Sequence, residues 1–172
     1  MEYTESYSLY KLDKLDVKSL ISLANEWLNN GIYTDSLNDL CWLDNPVIEE
    51  AGPIFEKAML ELGVKEQSRL EAAQNLITIE LKRIVNKEIS AEKGASFIYW
   101  EVHHEITSEI PDNEYVGDNL GLEHIFCWLR EIWDCNDGSM ILYHSDLSRP
   151  EAEKKFISYL IEESIKWLEK NT

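Results

Sequence analysis

Basic residues are scarce in this sequence, and long stretches lack them altogether. The 172 residues include 16 Lys and Arg but 33 Asp and Glu, which gives a formal net charge of −17 at pH 7. Three stretches, residues 19–56, 94–129 and 131–148, hold eighteen of these acids and no Lys or Arg. Nucleic acids and anionic membranes attract proteins through Lys and Arg, so the charge argues against both as partners.

Other absences narrow the class of protein further. No apolar run approaches the 18 residues of a membrane span. Residues 1–6 lack the basic and apolar regions of a signal peptide, so we expect none. The three cysteines, Cys41, Cys127 and Cys135, have no metal-binding spacing. We therefore expect a cytoplasmic protein with reduced thiols.

Catalytic and metal-binding motifs are also missing. The seven glycines form no phosphate-binding loop, and the chain has no G-x-S-x-G sequence. A single E-x-x-H, from Glu101 to His104, falls short of the two that a di-iron bundle needs. We therefore predict no cofactor, no metal and no enzymatic activity. An enzyme built from His103, His104, His124 and His144 with nearby acids is the least favoured alternative.

Helical periodicity dominates the chain. Apolar residues recur at i, i+3, i+4 and i+7 in most segments, and Asp16, Thr34, Ser90 and Ser148 are placed to cap helices. We predict an all-α fold of six to eight helices, with mostly antiparallel neighbours, in one compact domain over residues 1–172.

Several segments are less regular in pattern. Residues 1–12 are candidates for an extended or poorly ordered segment. Asn45–Pro46 indicates the start of a helix, and Gly52–Pro53 should interrupt or kink that helix. Residues 139–143 fit either a strand or a helical turn.

Acids and aromatics alternate in the predicted connections, which is typical of a protein interface. Carboxylates steer a basic partner and aromatic side chains supply buried anchors. The same acids could serve only solubility or helix N-termini, and Tyr33 and Trp42 could be core residues. If these residues bind a partner, reversing Asp35, Asp39, Asp112 or Asp118 should leave folding intact. The predicted partner-binding residues are Tyr33, Asp35, Asp39, Trp42, Asp44, Glu109, Asp112, Glu114, Tyr115, Asp118 and Glu123.

In size, acidity and helicity the chain resembles the immunity proteins of bacterial toxin systems, including contact-dependent growth inhibition. The resemblance covers the whole chain but rests on no motif. It implies a tight complex that neutralises one basic toxin domain, and a nuclease is the expected partner because its cleft must attract phosphates. The alternative is a helical adaptor or regulator with an ordinary protein partner. The sequence leaves open the partner's identity, the surface that is blocked and the oligomeric state.

Overall fold

The regular structure of this protein is entirely helical over residues 2–171, the part of the chain that the computed structural model describes. A π-helical segment (Ile98–His103) and a short α-turn (His104–Ile106) extend helix α6, and a 3-10 turn (Asp118–Leu120) precedes α7. The predicted all-α class is confirmed. The eight helices of seven residues or more are α1 (Tyr3–Lys11), α2 (Val17–Asn29), α3 (Asp35–Cys41), α4 (Ile48–Glu61), α5 (Arg69–Val85), α6 (Ala91–Phe97), α7 (Glu123–Asp137) and α8 (Arg149–Asn171).

Helix starts agree with the predicted capping residues. Each cap satisfies a backbone N–H group that the first helical turn leaves without a partner. At α8 the predicted cap Ser148 is the donor and not the acceptor. Its backbone N–H donates to Glu151 Oε2 at 3.1 Å, and its hydroxyl donates to the same oxygen at 2.5 Å. The other three bonds run from the Ser19 N–H to Asp16 Oδ1 (2.8 Å), from the Leu37 N–H to Thr34 Oγ1 (3.1 Å) and from the Lys93 N–H to Ser90 Oγ (3.2 Å).

Helix α4 differs from its prediction in two respects. It begins at Ile48 rather than at Asn45–Pro46, because Asn45 has a left-handed backbone (φ +48°) that a right-handed helix excludes. The helix is not interrupted at Gly52–Pro53, because Pro53 lies inside it and the helix continues to Glu61; a kink there stays a prediction. An interior proline removes one backbone hydrogen bond, at a cost of about 3 kcal/mol. The buried face of the helix offsets that cost, since it includes the fully buried Phe55.

The N-terminal segment is helical, so the expectation of an extended or poorly ordered chain is wrong over α1; its first residue lies outside the described range. Tyr7 is fully buried, and the ring of Tyr3 meets that of Trp27 edge-on, with centroids 5.0 Å apart. Tyr10 packs on Phe55 at 5.4 Å. Because these three tyrosines recur at helical spacing, burying them favours a helix over an extended strand.

The helices pack as two compact units, Met1–Asn75 and Leu76–Thr172. In the first unit α3 packs against α2 and α4, and in the second α7 packs against α8. A single domain stays a prediction. No helix within residues 2–171 has both the length and the apolar composition needed to cross a bilayer. Fully buried side chains include Leu20, Leu37, Leu40, Phe55 and Met59 in the first unit and Ile77, Leu81, Val102, Leu129, Ile132, Phe156 and Leu160 in the second.

Candidate functional site

The predicted partner-binding residues divide between the two units. Their structural settings differ: some side chains are open to solvent, while others hold a loop together. Tyr33, Asp35, Asp39, Trp42 and Asp44 lie in the first unit, and Glu109, Asp112, Glu114, Tyr115, Asp118 and Glu123 lie in the second.

Helix α3 has one apolar face and one acidic and aromatic face. Leu37 and Leu40 are fully buried. Asp35, Asp39 and Trp42 are exposed at positions i, i+4 and i+7, which lie on one side of a helix. Trp42 is 81% exposed and Tyr33, two residues before the helix, is 65% exposed, so neither is a core residue. We call Tyr33, Asp35, Asn38, Asp39 and Trp42 the α3 face.

Hydrogen bonds hold both rings of the α3 face. The Trp42 indole donates from Nε1 to Asn38 Oδ1 at 3.2 Å, one helical turn back. The Tyr33 hydroxyl donates to Asp35 Oδ1 at 3.3 Å. Partial desolvation, followed by the charges of Asp35 and Asp39 and the bond to Asp35, raises the pKa of Tyr33. The phenol therefore remains a neutral donor at physiological pH while its ring faces solvent.

The N-terminus of α3 is anchored to α4 by Glu61. Its carboxylate accepts the N–H of Ser36 at 3.2 Å and the Ser36 hydroxyl at 2.9 Å. Desolvation alone would raise the pKa of Glu61, but these hydrogen bonds outweigh it and the pKa is lowered. The α3 face is thus presented by a helix that is fixed at its start by a charged acceptor and along its length by buried leucines.

The connection after α3 continues the acidic and apolar composition. Asp44 is exposed and accepts a hydrogen bond from the Asn45 side chain at 2.9 Å. Val47 and Ile48 are also exposed, although they are not among the predicted binding residues. Their exposure could not be predicted from the sequence. Both stand at the start of an amphipathic helix, where the pattern does not distinguish an exposed aliphatic residue from a buried one.

Asp118 organises the loop between the α-turn and α7. Its two carboxylate oxygens accept the backbone N–H groups of Asn113 (2.8 Å), Glu114 (2.8 Å) and Tyr115 (3.0 Å). These bonds stabilise the charged form and lower the pKa of Asp118 to about 2. Tyr115 is left 61% exposed. Asp118 therefore holds the loop that presents Tyr115.

Asp112 has a similar structural role. Its Oδ1 lies 2.9 Å from Nε2 of the buried His103 and accepts the Gly117 N–H at 2.9 Å. Reversing Asp112 or Asp118 would leave these donors unpaired, so we no longer expect those two reversals to leave folding intact. For Asp35 and Asp39, which are exposed, that expectation stands.

The remaining predicted residues of this unit differ in exposure. Glu109 and Glu114 are exposed. Glu123, the first residue of α7, is half-buried, and within residues 2–171 its Oε2 is buried without a hydrogen-bond partner. The acids of this loop therefore include both surface carboxylates and carboxylates that its own backbone uses.

The four candidate catalytic histidines have different surroundings. His103 comes from the π-helical segment and pairs with Asp112. No group of three or more His, Cys, Asp or Glu within the described residues is placed to hold a metal ion. Of the other three, His104 stacks on Trp100 with centroids 5.6 Å apart, His144 Nε2 lies 3.1 Å from the Tyr159 hydroxyl, and His124 is exposed on α7.

No protein-family model, no curated protein and no solved structure matches this chain. Its function must therefore be inferred from its own side chains. The α3 face is the strongest starting point, because two aromatic rings and two carboxylates are exposed together on one short helix and its two flanks. Exposed large aromatics are typical of interfaces rather than of inert surface.

Proposed function

We propose that this protein is an acidic binding protein that neutralises a basic protein toxin by forming a tight complex with it. The observation that carries the proposal is the α3 face, where Trp42 and Tyr33 stand exposed among Asp35 and Asp39. Aromatic side chains are the usual anchors of tight interfaces, and their hydrogen bonds here reduce the entropy lost on binding. The carboxylates supply long-range attraction for a cationic surface.

The charge favours a basic partner of a particular kind. A net charge of −17 opposes binding to nucleic acids and anionic lipids, whereas it accelerates encounter with a basic protein. A nuclease cleft is positively charged because it binds phosphates. An acidic surface competes for such a cleft, so we propose a nuclease toxin as the partner and the bacterial cytoplasm as the place of action. The resemblance to toxin immunity proteins supports the same assignment.

Growth rescue tests the proposal directly. The product of the gene immediately upstream in the source genome is expressed in a bacterial host, with and without this protein. We expect growth arrest by that product alone and growth in the presence of the wild-type chain. The variant Asp35→Lys/Asp39→Lys/Trp42→Ala should lose protection, whereas the control Glu162→Lys/Glu169→Lys, which alters exposed acids of α8, should keep it.

Binding measurements on the purified proteins give the physical signature. Trp42→Ala should weaken the complex by at least about 2 kcal/mol, roughly thirtyfold in Kd. The association rate should fall steeply as salt is raised to about 1 M, where the Debye length is about 3 Å. Circular dichroism establishes that each variant is folded. Salt-independent association, or wild-type affinity in the α3 variants, would show that the proposal is wrong.

A further inference from the structure

The connection between α7 and α8, residues 138–148, presents apolar side chains to solvent. Met140 is 78% exposed and Leu142 is 69% exposed, and Tyr143 beside them is half-exposed. The segment has neither strand nor helix, so both alternatives predicted for residues 139–143, a strand and a helical turn, are wrong. We call residues 138–148 the display loop. Apolar side chains this exposed on a surface loop are a feature of binding sites.

The backbone of the display loop is pinned at its start by Arg149. The guanidinium donates through Nη1 to the carbonyls of Asp134 (2.6 Å) and Cys135 (3.4 Å), at the end of α7. Through Nη2 it donates to the carbonyls of Gly138 (3.0 Å) and Ser139 (2.8 Å). One planar group thus joins the C-terminus of α7 to the first two residues of the loop.

A buried carboxylate holds the middle of the display loop. Glu131 is 2% exposed, and its Oε2 accepts the N–H groups of Leu142 at 2.9 Å and of Tyr143 at 3.4 Å. Burying a carboxylate is costly unless it is hydrogen-bonded. His144 follows with a left-handed backbone (φ +54°) and contacts the Tyr159 hydroxyl. The exposed side chains therefore belong to a backbone that is held in place by hydrogen bonds to Glu131 and Arg149.

The charge around the display loop selects the class of partner. The compact unit that contains the display loop, Leu76–Thr172, has nineteen Asp and Glu against ten Lys and Arg, a net charge of −9. Arg149, the base nearest to the loop in sequence, directs its donors at backbone carbonyls. A second copy of this chain would bring the same negative charge against itself, and an anionic lipid surface would be repelled as well. Apolar side chains within negative charge complement an apolar pocket with a basic rim.

We propose that the display loop docks Met140 and Leu142 into an apolar pocket of a partner protein whose rim carries Lys or Arg. Tyr143, which packs on Trp128 with ring centroids 5.4 Å apart, forms the edge of the docking surface. The anchors made by Arg149 and Glu131 preorganise the loop, so that little conformational entropy is lost on docking. This proposal does not depend on the one for the α3 face.

A phage-displayed peptide library tests the proposal without a known partner. The library is panned on the full-length protein after depletion on the Met140→Ser/Leu142→Ser variant. We expect enriched peptides that combine Lys or Arg with large apolar residues. A synthetic copy of one such peptide should bind the variant at least about tenfold more weakly than the wild type, the loss of about one anchor side chain. Binding should also weaken as salt is raised.

Two further variants distinguish specific docking from non-specific hydrophobic binding. Leu60→Ser/Ile165→Ser removes exposed aliphatic side chains elsewhere and should bind the peptide as the wild type does. Glu131→Gln keeps Met140 and Leu142 but weakens the anchor, so it should also bind more weakly. Circular dichroism confirms that these variants fold.

Four outcomes would overturn the proposal. The first is a library that yields no cationic apolar peptide, and the second is equal peptide affinity for the wild type and the Met140→Ser/Leu142→Ser variant. The third is a dimer in analytical sedimentation that this variant abolishes. The fourth is flotation of the protein with phosphatidylglycerol vesicles that this variant abolishes. The third would identify a second copy as the occupant of the display loop, and the fourth a lipid surface.

Discussion

Oδ2 of Asp118 accepts the backbone N–H of Tyr115 at 3.0 Å, so a carboxylate inside the loop determines where an exposed ring stands. Both residues belong to the predicted interface, yet the structure gives them different tasks. Tyr115 is available for contact, whereas Asp118 bonds three consecutive N–H groups of its own loop. An acidic residue in an acidic stretch can therefore be a structural acceptor and not a surface charge.

The pH dependence of stability should reveal this role of Asp118. Its pKa is about 2 in the folded protein against 3.8 for the free side chain. Because folding lowers the pKa, the carboxylate stabilises the protein fully above pH 3.8, and the stabilisation is lost as the pH falls through about 2. Asp118→Asn should lower the thermal midpoint at neutral pH, and its deficit relative to the wild type should shrink only below pH 3.8.

Carboxyl-carbon NMR measures the Asp118 pKa directly, and thermal scans across the acid range measure the deficit. Asp146→Asn, a change at an exposed acid of the display loop, is the matched control and should have little effect. A normal pKa for Asp118, or equal thermal midpoints for the two variants, would contradict the loop-holding role.

Gly117 should be far less replaceable than Gly31. Both have a left-handed backbone, with φ of +85° and +82°, in which an L side chain costs about 1 kcal/mol. A Cβ at Gly31 meets open space, but one at Gly117 would collide with the ring of Phe126. We expect Gly31→Ala to cost about 1 kcal/mol of unfolding free energy and Gly117→Ala at least about 1 kcal/mol more. Urea denaturation compares them; equal losses would refute the collision.

The stabilising effect of Arg149 should depend on the shape of its guanidinium group and not only on its charge. Lysine keeps the charge but cannot donate along two edges to four carbonyls, so Arg149→Lys should destabilise the protein by about 1 kcal/mol or more. Amide hydrogen exchange at Leu142 should become faster, because the start of the display loop is no longer held. Arg130→Lys, at an exposed position of α7, is the control. Unchanged exchange in Arg149→Lys would disprove the pinning.

Helix positions were largely predictable because they depend on local chemistry. Asp16 and Gly31 bracket α2 as expected, since the cap bond and the left-handed glycine involve only neighbouring residues. The prediction for residues 1–12 failed because distant contacts decide their conformation. The helix α1 is stabilised by packing of its tyrosines on Trp27 and Phe55, which lie on other helices. The helical spacing of Tyr3, Tyr7 and Tyr10 is visible in residues 1–12, but the rings on which they pack are not.

The candidate site was predictable only in composition. Trp42 and Asp39 could be selected because acids and aromatics alternate there, but Asn38, which orients the indole, was missed. Its position one turn before Trp42 is a usable signal once the helix is known. Glu131 and Arg149 were missed as anchors because their partners are backbone atoms of other segments, and backbone atoms leave no trace in a sequence.

Composition and periodicity by themselves determined the helical class, the net charge and the absence of bases from three long stretches, since these depend only on residue type and spacing. Tertiary structure alone decided which acids are available to a partner. Asp35 and Asp39 remain exposed because the leucines of α3 occupy its buried side. Asp112, Asp118 and Glu131 instead bind a buried histidine or backbone N–H groups. An N–H group that is removed from water needs an acceptor, and a carboxylate is a strong one.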